Sequence, residues 1–376
     1  LNAFAVGFLW WLLVAASTAR AGPGFEHQLF CGSAGDETVL TAPAVLLIGG
    51  AEAGAPGELA ATEWFLAQGD GGDYLVLRSG GIGGQAGWIC STFPDRVSSA
   101  AELSIDTRAA ADDPEVIALI EQAELIFIAG GDQTAYVDQW RGTATAAALN
   151  QHLATAPVAG TSAGMMILGE SYYAPTGSGV LSSQILDDPY HPDAGEIGHG
   201  DFLQHPRLAG VITDTHLDRA HGPGQERRYG RLLGLLARLV AAHPDRERSF
   251  AIGADEGVFI AINGDGMARV FGSGGPAGPS AWFAQQHMEG PERVSPGQGL
   301  VWERGGTAVK VYRISGTPAG HGRFNLDNWF NAEGGEWLNW FSDDGAAGFN
   351  FRGGECPACP PATPPDRERL FCDRFS

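Results

Sequence analysis

Gly160-Thr161-Ser162-Ala163-Gly164 is the segment of this sequence best suited to chemistry. It fits G-x-S-x-G, with a strand pattern before it and a helical pattern after it. Flanking glycines permit a sharp turn that lifts a serine hydroxyl above a sheet, and a helix N-terminus beneath favours negative charge there. The same residues could form a plain tight turn in which Ser162 only caps the helix; strand, elbow and helix in succession favour the nucleophile. A serine hydroxyl attacks only when a base removes its proton, so a histidine must lie within hydrogen-bond reach. Of the ten histidines, His216 alone ends an apolar strand, 54 residues after Ser162 and, by expectation, on the same edge of the sheet. His191, His199 and His205 fall in a Pro/Gly-rich loop with no compact metal-ligand spacing and read as surface residues. His27, His152, His221, His243, His287 and His321 read as loop or helix-surface residues.

A third group should hold the correct tautomer of His216 and stabilise its cation. Glu256, in the turn Ala254-Asp255-Glu256-Gly257 after an apolar strand, is the preferred carboxylate; Asp187 and Asp188 compete for the role. The oxyanion of an acyl transfer needs backbone donors set in advance. Gly130-Gly131-Asp132-Gln133, at the end of another strand, offers the Gly131 N–H to work beside that of Ala163. Neither a metal nor an organic cofactor is expected.

These residues need a frame of strands and helices. Val45–Ile48, Tyr74–Leu77, Leu125–Ile128, Val158-Ala159, Gly210–Thr213 and Phe250–Ile252 are short apolar runs. Helical stretches lie between them at Pro114–Ala123, Thr134–Leu153 and Gly230–Ala242, the last with Leu232, Leu233, Leu236, Leu239 and Val240 on one face. Such alternation predicts a mainly parallel α/β sheet with helices on both faces. Beyond about Phe271 the pattern becomes Gly- and Pro-rich, with a half-exposed strand at Val309–Ile314. The expected organisation is an export signal over 1–21, a catalytic domain over 22–270, a β-rich extension over 271–352 and a Pro/Cys-containing tail over 353–376.

The export signal rests on the apolar run Phe8–Ala16 followed by Ala19-Arg20-Ala21, a small-x-small cleavage pattern. It places the mature chain in the periplasm or outside the cell, with no further segment of membrane length. A formal net charge of -21 repels phosphate backbones and argues against nucleic-acid binding. Lys310 is the sole lysine, so nearly all fixed positive charge is arginine, suited to bidentate contact with carboxylates. Five cysteines suit an oxidising compartment and leave one over. Cys31 and Cys90 read as isolated, and Cys356, Cys359 and Cys372 as a disulfide staple in the tail. The sequence leaves a homodimer open.

Taken together, five blocks resemble the cyanophycinases of the S51 serine peptidases, a group that includes the aspartyl dipeptidases. The blocks are Ile48-Gly-Gly50, Gly130-Gly-Asp-Gln133, Gly160–Gly164, Asp214-Thr-His216 with Arg228–Leu233, and Ile252–Glu256. The resemblance implies a flavodoxin-like fold related to class I glutamine amidotransferases. It also implies a Ser-His-Glu triad at Ser162, His216 and Glu256, and substrate binding by Gln133, Asp214, Arg228 and Arg231. The activity it implies is cleavage of cyanophycin (multi-L-arginyl-poly-L-aspartate) to β-aspartyl-arginine through an acyl-enzyme. Two features depart from the pattern: Thr215 stands where a glutamine is common, and an insertion over about His221–Glu226 separates Arg219 from Arg228. The alternatives are an aspartyl or isoaspartyl dipeptidase and an exported binding protein that has lost catalysis. An α/β-hydrolase esterase is disfavoured, because its acid-bearing strand does not fit between Ser162 and His216.

Overall fold

The computed structural model describes residues 19–33, 41–50, 54, 56–222, 224, 226–275, 278–287, 289–343 and 349–353. In chain order the first strands are β1 (Ala19–Gly22), β2 (Phe25–Gly32), β3 (Val45–Ile48), β4 (Gly71–Arg78), β5 (Val97–Ile105), β6 (Leu125–Ile128), β7 (Val158–Thr161), β8 (Ser171–Ala174), β9 (Glu196–His199) and β10 (Val211–Thr215). They continue as β11 (Phe250–Ala254), β12 (Phe259–Ile262), β13 (Met267–Phe271), β14 (Ser280–Gln286), β15 (Val309–Ser315), β16 (Gly322–Asn325), β17 (Ala332–Glu333), β18 (Glu336–Ser342) and β19 (Phe349–Gly353). The helices are α1 (Pro56–Leu66), α2 (Gln85–Thr92), α3 (Pro114–Glu121), α4 (Gln133–Trp140), α5 (Ala144–Thr155), α6 (Ala163–Met166), α7 (Ser182–Asp187) and α8 (Tyr229–Ala242).

The strands form two sheets where the sequence predicts one. The first runs β1-β2-β5-β4-β6-β7-β3-β12-β13-β16-β17, with β5, β4, β6, β7 and β3 mutually parallel at its centre. The second runs β19-β18-β15-β14-β11-β10-β8-β9 and is parallel only across β11, β10 and β8. The α/β class and the strand-rich C-terminal region are as expected. The second sheet went unforeseen because an apolar run shows that a strand is buried but not which strand it pairs with. His216 therefore ends a strand of the second sheet, not of the sheet that carries Ser162. The strands after Phe271 continue both sheets, β16 beyond β13 and β14 and β15 beyond β11.

Alternation along each strand explains the layers. All four residues of β3 are buried; Val45 and Leu47 face the core between the sheets, and Leu46 and Ile48 face the layer with Ala61 and Phe65 of α1. In β11, Ile252 and Ala254 join the inter-sheet core while Ala251 packs with Leu232, Leu236 and Leu239 of α8. The helix expected over 134–153 is broken into α4 and α5 at Arg141-Gly142-Thr143, where Gly142 takes φ 71°. Ala19-Arg20-Ala21 of the expected cleavage pattern lies in β1, paired with β2. The apolar run before it and the tail cysteines Cys356, Cys359 and Cys372 lie outside the described residues.

Two expectations are corrected by long-range packing. Cys31 on β2 and Cys90 on α2, read as isolated, form a disulfide across 59 residues. His152, His205 and His287, read as surface residues, are buried. Each uses a ring nitrogen on the backbone: His152 Nε2 with Pro157 O at 2.9 Å, His205 Nδ1 accepting from Arg207 N at 3.1 Å, and His287 Nδ1 with Thr307 O at 2.8 Å.

Candidate active site

The two sheets meet at the strand ends that follow β3, β7, β10 and β11. Ser162 is the single residue between β7 and α6, held at φ 51° and ψ −117°. Its N–H donates to Ile48 O at 3.0 Å, and its carbonyl accepts from Met166 N at 3.0 Å. A positive φ on a non-glycine residue costs roughly 1–3 kcal/mol and persists only where the surroundings enforce it. The close approach of β6 supplies that constraint: a Cβ at Gly164 would overlap the carbonyl of Ile128. α6 is only one turn long, so the dipole expected beneath Ser162 is small.

His216, also at positive φ (53°), follows β10 and donates its backbone N–H to Gly49 O at 3.0 Å. Its Nε2 lies 2.8 Å from Ser162 Oγ and its Nδ1 3.0 Å from Glu256 Oε1. A carboxylate only accepts, so Nδ1 carries the proton and Nε2 is left to accept from the serine hydroxyl. Glu256 Oε1 also accepts from Arg219 Nη1 at 3.2 Å, and Glu256 N–H donates to Asp218 Oδ1 at 2.9 Å. Burial holds the imidazole below its ordinary value of 6.5, and the Arg228 charge adds to this, against the opposing pull of Glu256. The ring is therefore neutral at pH 7, the form a general base needs.

The competing carboxylates lie elsewhere. Asp187 is exposed at the end of α7, and Asp188 Oδ1 accepts from Tyr190 N at 2.9 Å. His216 Nδ1 is engaged by Glu256 and by neither of them. On the other flank of Ser162, a Cβ at Gly130 would sit 3.3 Å from Ser162 Cβ, so the Gly130-Gly131 turn lies directly against the serine. Gly131 takes φ 149° with open space where its side chain would be. Ala163 is the first residue of α6, and a first-turn N–H has no acceptor within its helix. The Gly130-Gly131 turn and the first residue of α6 thus both adjoin Ser162.

The four expected substrate residues divide into two kinds. Asp214 and Arg231 are both buried and bind each other, with Arg231 Nε 2.9 Å from Asp214 Oδ2 and Nη2 2.5 Å from Oδ1. The Arg231 guanidinium also lies 5.4 Å from the ring centre of Tyr173. Neither charge is presented outward; the pair braces β10 against α8. Arg228 and Gln133 remain half-buried. Arg228 Nη1 donates to Thr215 O at 3.2 Å, while its buried Nε has no hydrogen-bond acceptor among the described residues. Burial, then the neighbouring Arg231 charge, pulls its pKa down to about 10. An underused guanidinium next to His216 is suited to hold an anionic substrate group. The insertion closes on itself through two backbone hydrogen bonds between His221 and Glu226, and Glu226 is anchored on Ser183 of α7.

Sequence reasoning missed Asp218 and Arg219, which reach Glu256, and the close seating of Gly50 against His216, although Ile48-Gly-Gly50 is one of the blocks that carry the resemblance. A carboxylate two residues after a histidine is too common to signal a role, and the Gly50 contact depends on how the two sheets meet.

Peptidase family S51 matches residues 93–183, a span that includes Gly130, Gly131 and Ser162. The chain is 29% identical over 243 residues to proteins named cyanophycinase from Trichormus variabilis and from Nostoc sp., an alignment covering 62% of this chain and 72% of each relative. A crystal structure of a peptidase from an acI-B1 Actinobacterium superposes on it with a TM-score of 0.42 at 18% identity, covering 61% of this chain and 88% of the other.

Proposed function

We propose that this chain, a serine-type peptidase of family S51, is exported and hydrolyses the peptide bonds between the β-linked aspartyl units of cyanophycin, releasing β-aspartyl-arginine. The observation that carries the proposal is the continuous relay from Ser162 Oγ through His216 to Glu256. Ser162 Oγ attacks the scissile carbonyl while its proton passes to His216 Nε2. The resulting oxyanion is met by the N–H groups of Gly131 and Ala163. As the C–N bond breaks, His216 returns the proton to the leaving amine, and an ester on Ser162 remains. Water then attacks the ester with His216 again as base, releasing a carboxylic acid and restoring the hydroxyl. Glu256 orients the ring and stabilises its cation throughout. Arg228 holds a substrate carboxylate, Gln133 lines the approach, and the Asp214–Arg231 pair forms the wall behind them.

Purified cyanophycin incubated with wild type and with Ser162→Ala, the products identified by mass spectrometry, tests this directly. Wild type should release β-aspartyl-arginine and the variant none. The anchored His221–Glu226 hairpin, which borders the site beside Arg228, motivates a second reading, an aspartyl dipeptidase. Turnover of β-aspartyl or α-aspartyl dipeptides without attack on the polymer would decide for that reading.

A further inference from the structure

Asp255 stands immediately before Glu256 and is 3% exposed, yet it has no part in the chemistry above. Its carboxyl group accepts three hydrogen bonds from two elements remote in sequence. Tyr229 Oη of α8 donates at 3.1 Å, and Trp282 Nε1 and Ser280 N of β14 donate at 3.1 Å and 2.8 Å. The backbone closes the same contact, because Asp255 N–H donates to Ser280 O at 3.1 Å. The Tyr229 ring packs 4.9 Å from Trp282 and 6.3 Å from Trp340 of β18. On the opposite side, Asp218 receives the Glu256 N–H, so the turn bearing Glu256 is gripped from both flanks.

We infer that Asp255 is a positioning residue: by tying α8 and β14 to its turn, it fixes the Glu256 carboxylate on His216 Nδ1 and makes the C-terminal strands a working part of the site. The inference rests on the Ser162–His216–Glu256 reading. Three donors converging on one carboxyl group are what a buried acceptor needs, and no other turn residue meets them. Burial and the Asp218 charge nonetheless push the group up to about 6, so the ionised form at neutral pH opposes folding. A residue kept at a cost to stability, next to the acid of a relay, is more simply explained by positioning than by stability. Tyr229 also follows Arg228 directly, so the same clasp sets the start of α8 on which that guanidinium stands.

The test is the rate at which a serine-directed phosphonate labels Ser162, together with the downfield Nδ1 proton resonance of His216, in full-length Asp255→Asn and Tyr229→Phe. Displacements near 1 Å cost catalysis on the order of 100-fold. Asp255→Asn, which puts an N–H against converging donors, should therefore slow labelling by about tenfold or more and shift or abolish the resonance, with cooperative unfolding retained. Tyr229→Phe removes one donor and should slow labelling about threefold. A folded Asp255→Asn labelled within about twofold of wild type, with the resonance unmoved, overturns the inference. Should Asp255→Asn fail to fold, Tyr229→Phe and Trp282→Phe are read in the same two ways, and no change in either overturns it. A wild type that is not labelled at all overturns the Ser162 reading beneath the inference, an outcome distinct from equal labelling of wild type and variants.

Discussion

The His216 imidazole occupies its place because residue 50 has no side chain. A Cβ there would overlap Cε1 and Nδ1 of the ring, at a backbone φ of 125° that already disfavours other residues. Gly50→Ala should thus displace the base and lower kcat by about 100-fold or more, since such a shift breaks both relay bonds; kinetics on the polymer and phosphonate labelling check it. The protonation state of the same ring sets the acid limit of activity. The base works when neutral, and burial lowers its pKa, so the ring stays neutral to a lower pH than a free histidine. The acid limb of kcat/KM should therefore fall below pH 6.5, the ordinary value for the group. An acid limb above that value would contradict the burial argument. The meeting of Ser162, His216 and Glu256 was legible because each closely follows an apolar run in the sequence. Asp255, Asp218 and Gly50 were not, because their roles come from contacts between residues far apart in the chain.

At the scale of elements, the apolar runs predict strands β3, β4, β6, β7, β10, β11 and β15, and α8 buries the leucine face its spacing predicts. Sheet membership was not legible, since β10 and β7 look alike in sequence and belong to different sheets. The junction of α8 with β10 depends on the Asp214–Arg231 pair, which the resemblance assigned to substrate. Removing one partner of a buried pair leaves an uncompensated charge and costs roughly 3–5 kcal/mol. Arg231→Met should accordingly lower the urea midpoint strongly, and adding Asp214→Val should recover much of the loss. Were these residues exposed substrate ligands, Arg231→Met would instead raise KM and leave the midpoint near wild type.

Over the whole molecule, burial of titratable groups sets the response to acid. His152, His205 and His287 are held down to about 4, chiefly by burial, against an ordinary 6.5. The unfolded chain binds their protons first, so the stability present above pH 6.5 is lost as pH falls towards 4. Asp255 acts in the opposite sense, being raised from 3.8 to about 6; its contribution is complete below pH 3.8 and is lost as pH rises through 6. Three groups against one predict a thermal midpoint that falls between pH 7 and pH 4.5, measurable by calorimetry; a rising midpoint would show that the histidines are not buried neutral. This level was least legible in the sequence: the Cys31–Cys90 bond and the three buried histidines depend on chain segments whose meeting no local pattern records.

The central claim is that Ser162 carries the acyl group. Its most direct test is to acid-quench the protein during turnover of cyanophycin and measure the mass of the peptide containing Ser162. An adduct made of β-aspartyl-arginine units on that peptide, absent from Ser162→Ala, is the predicted result. Continued hydrolysis with no adduct on that peptide, or with the adduct on another residue, would contradict it.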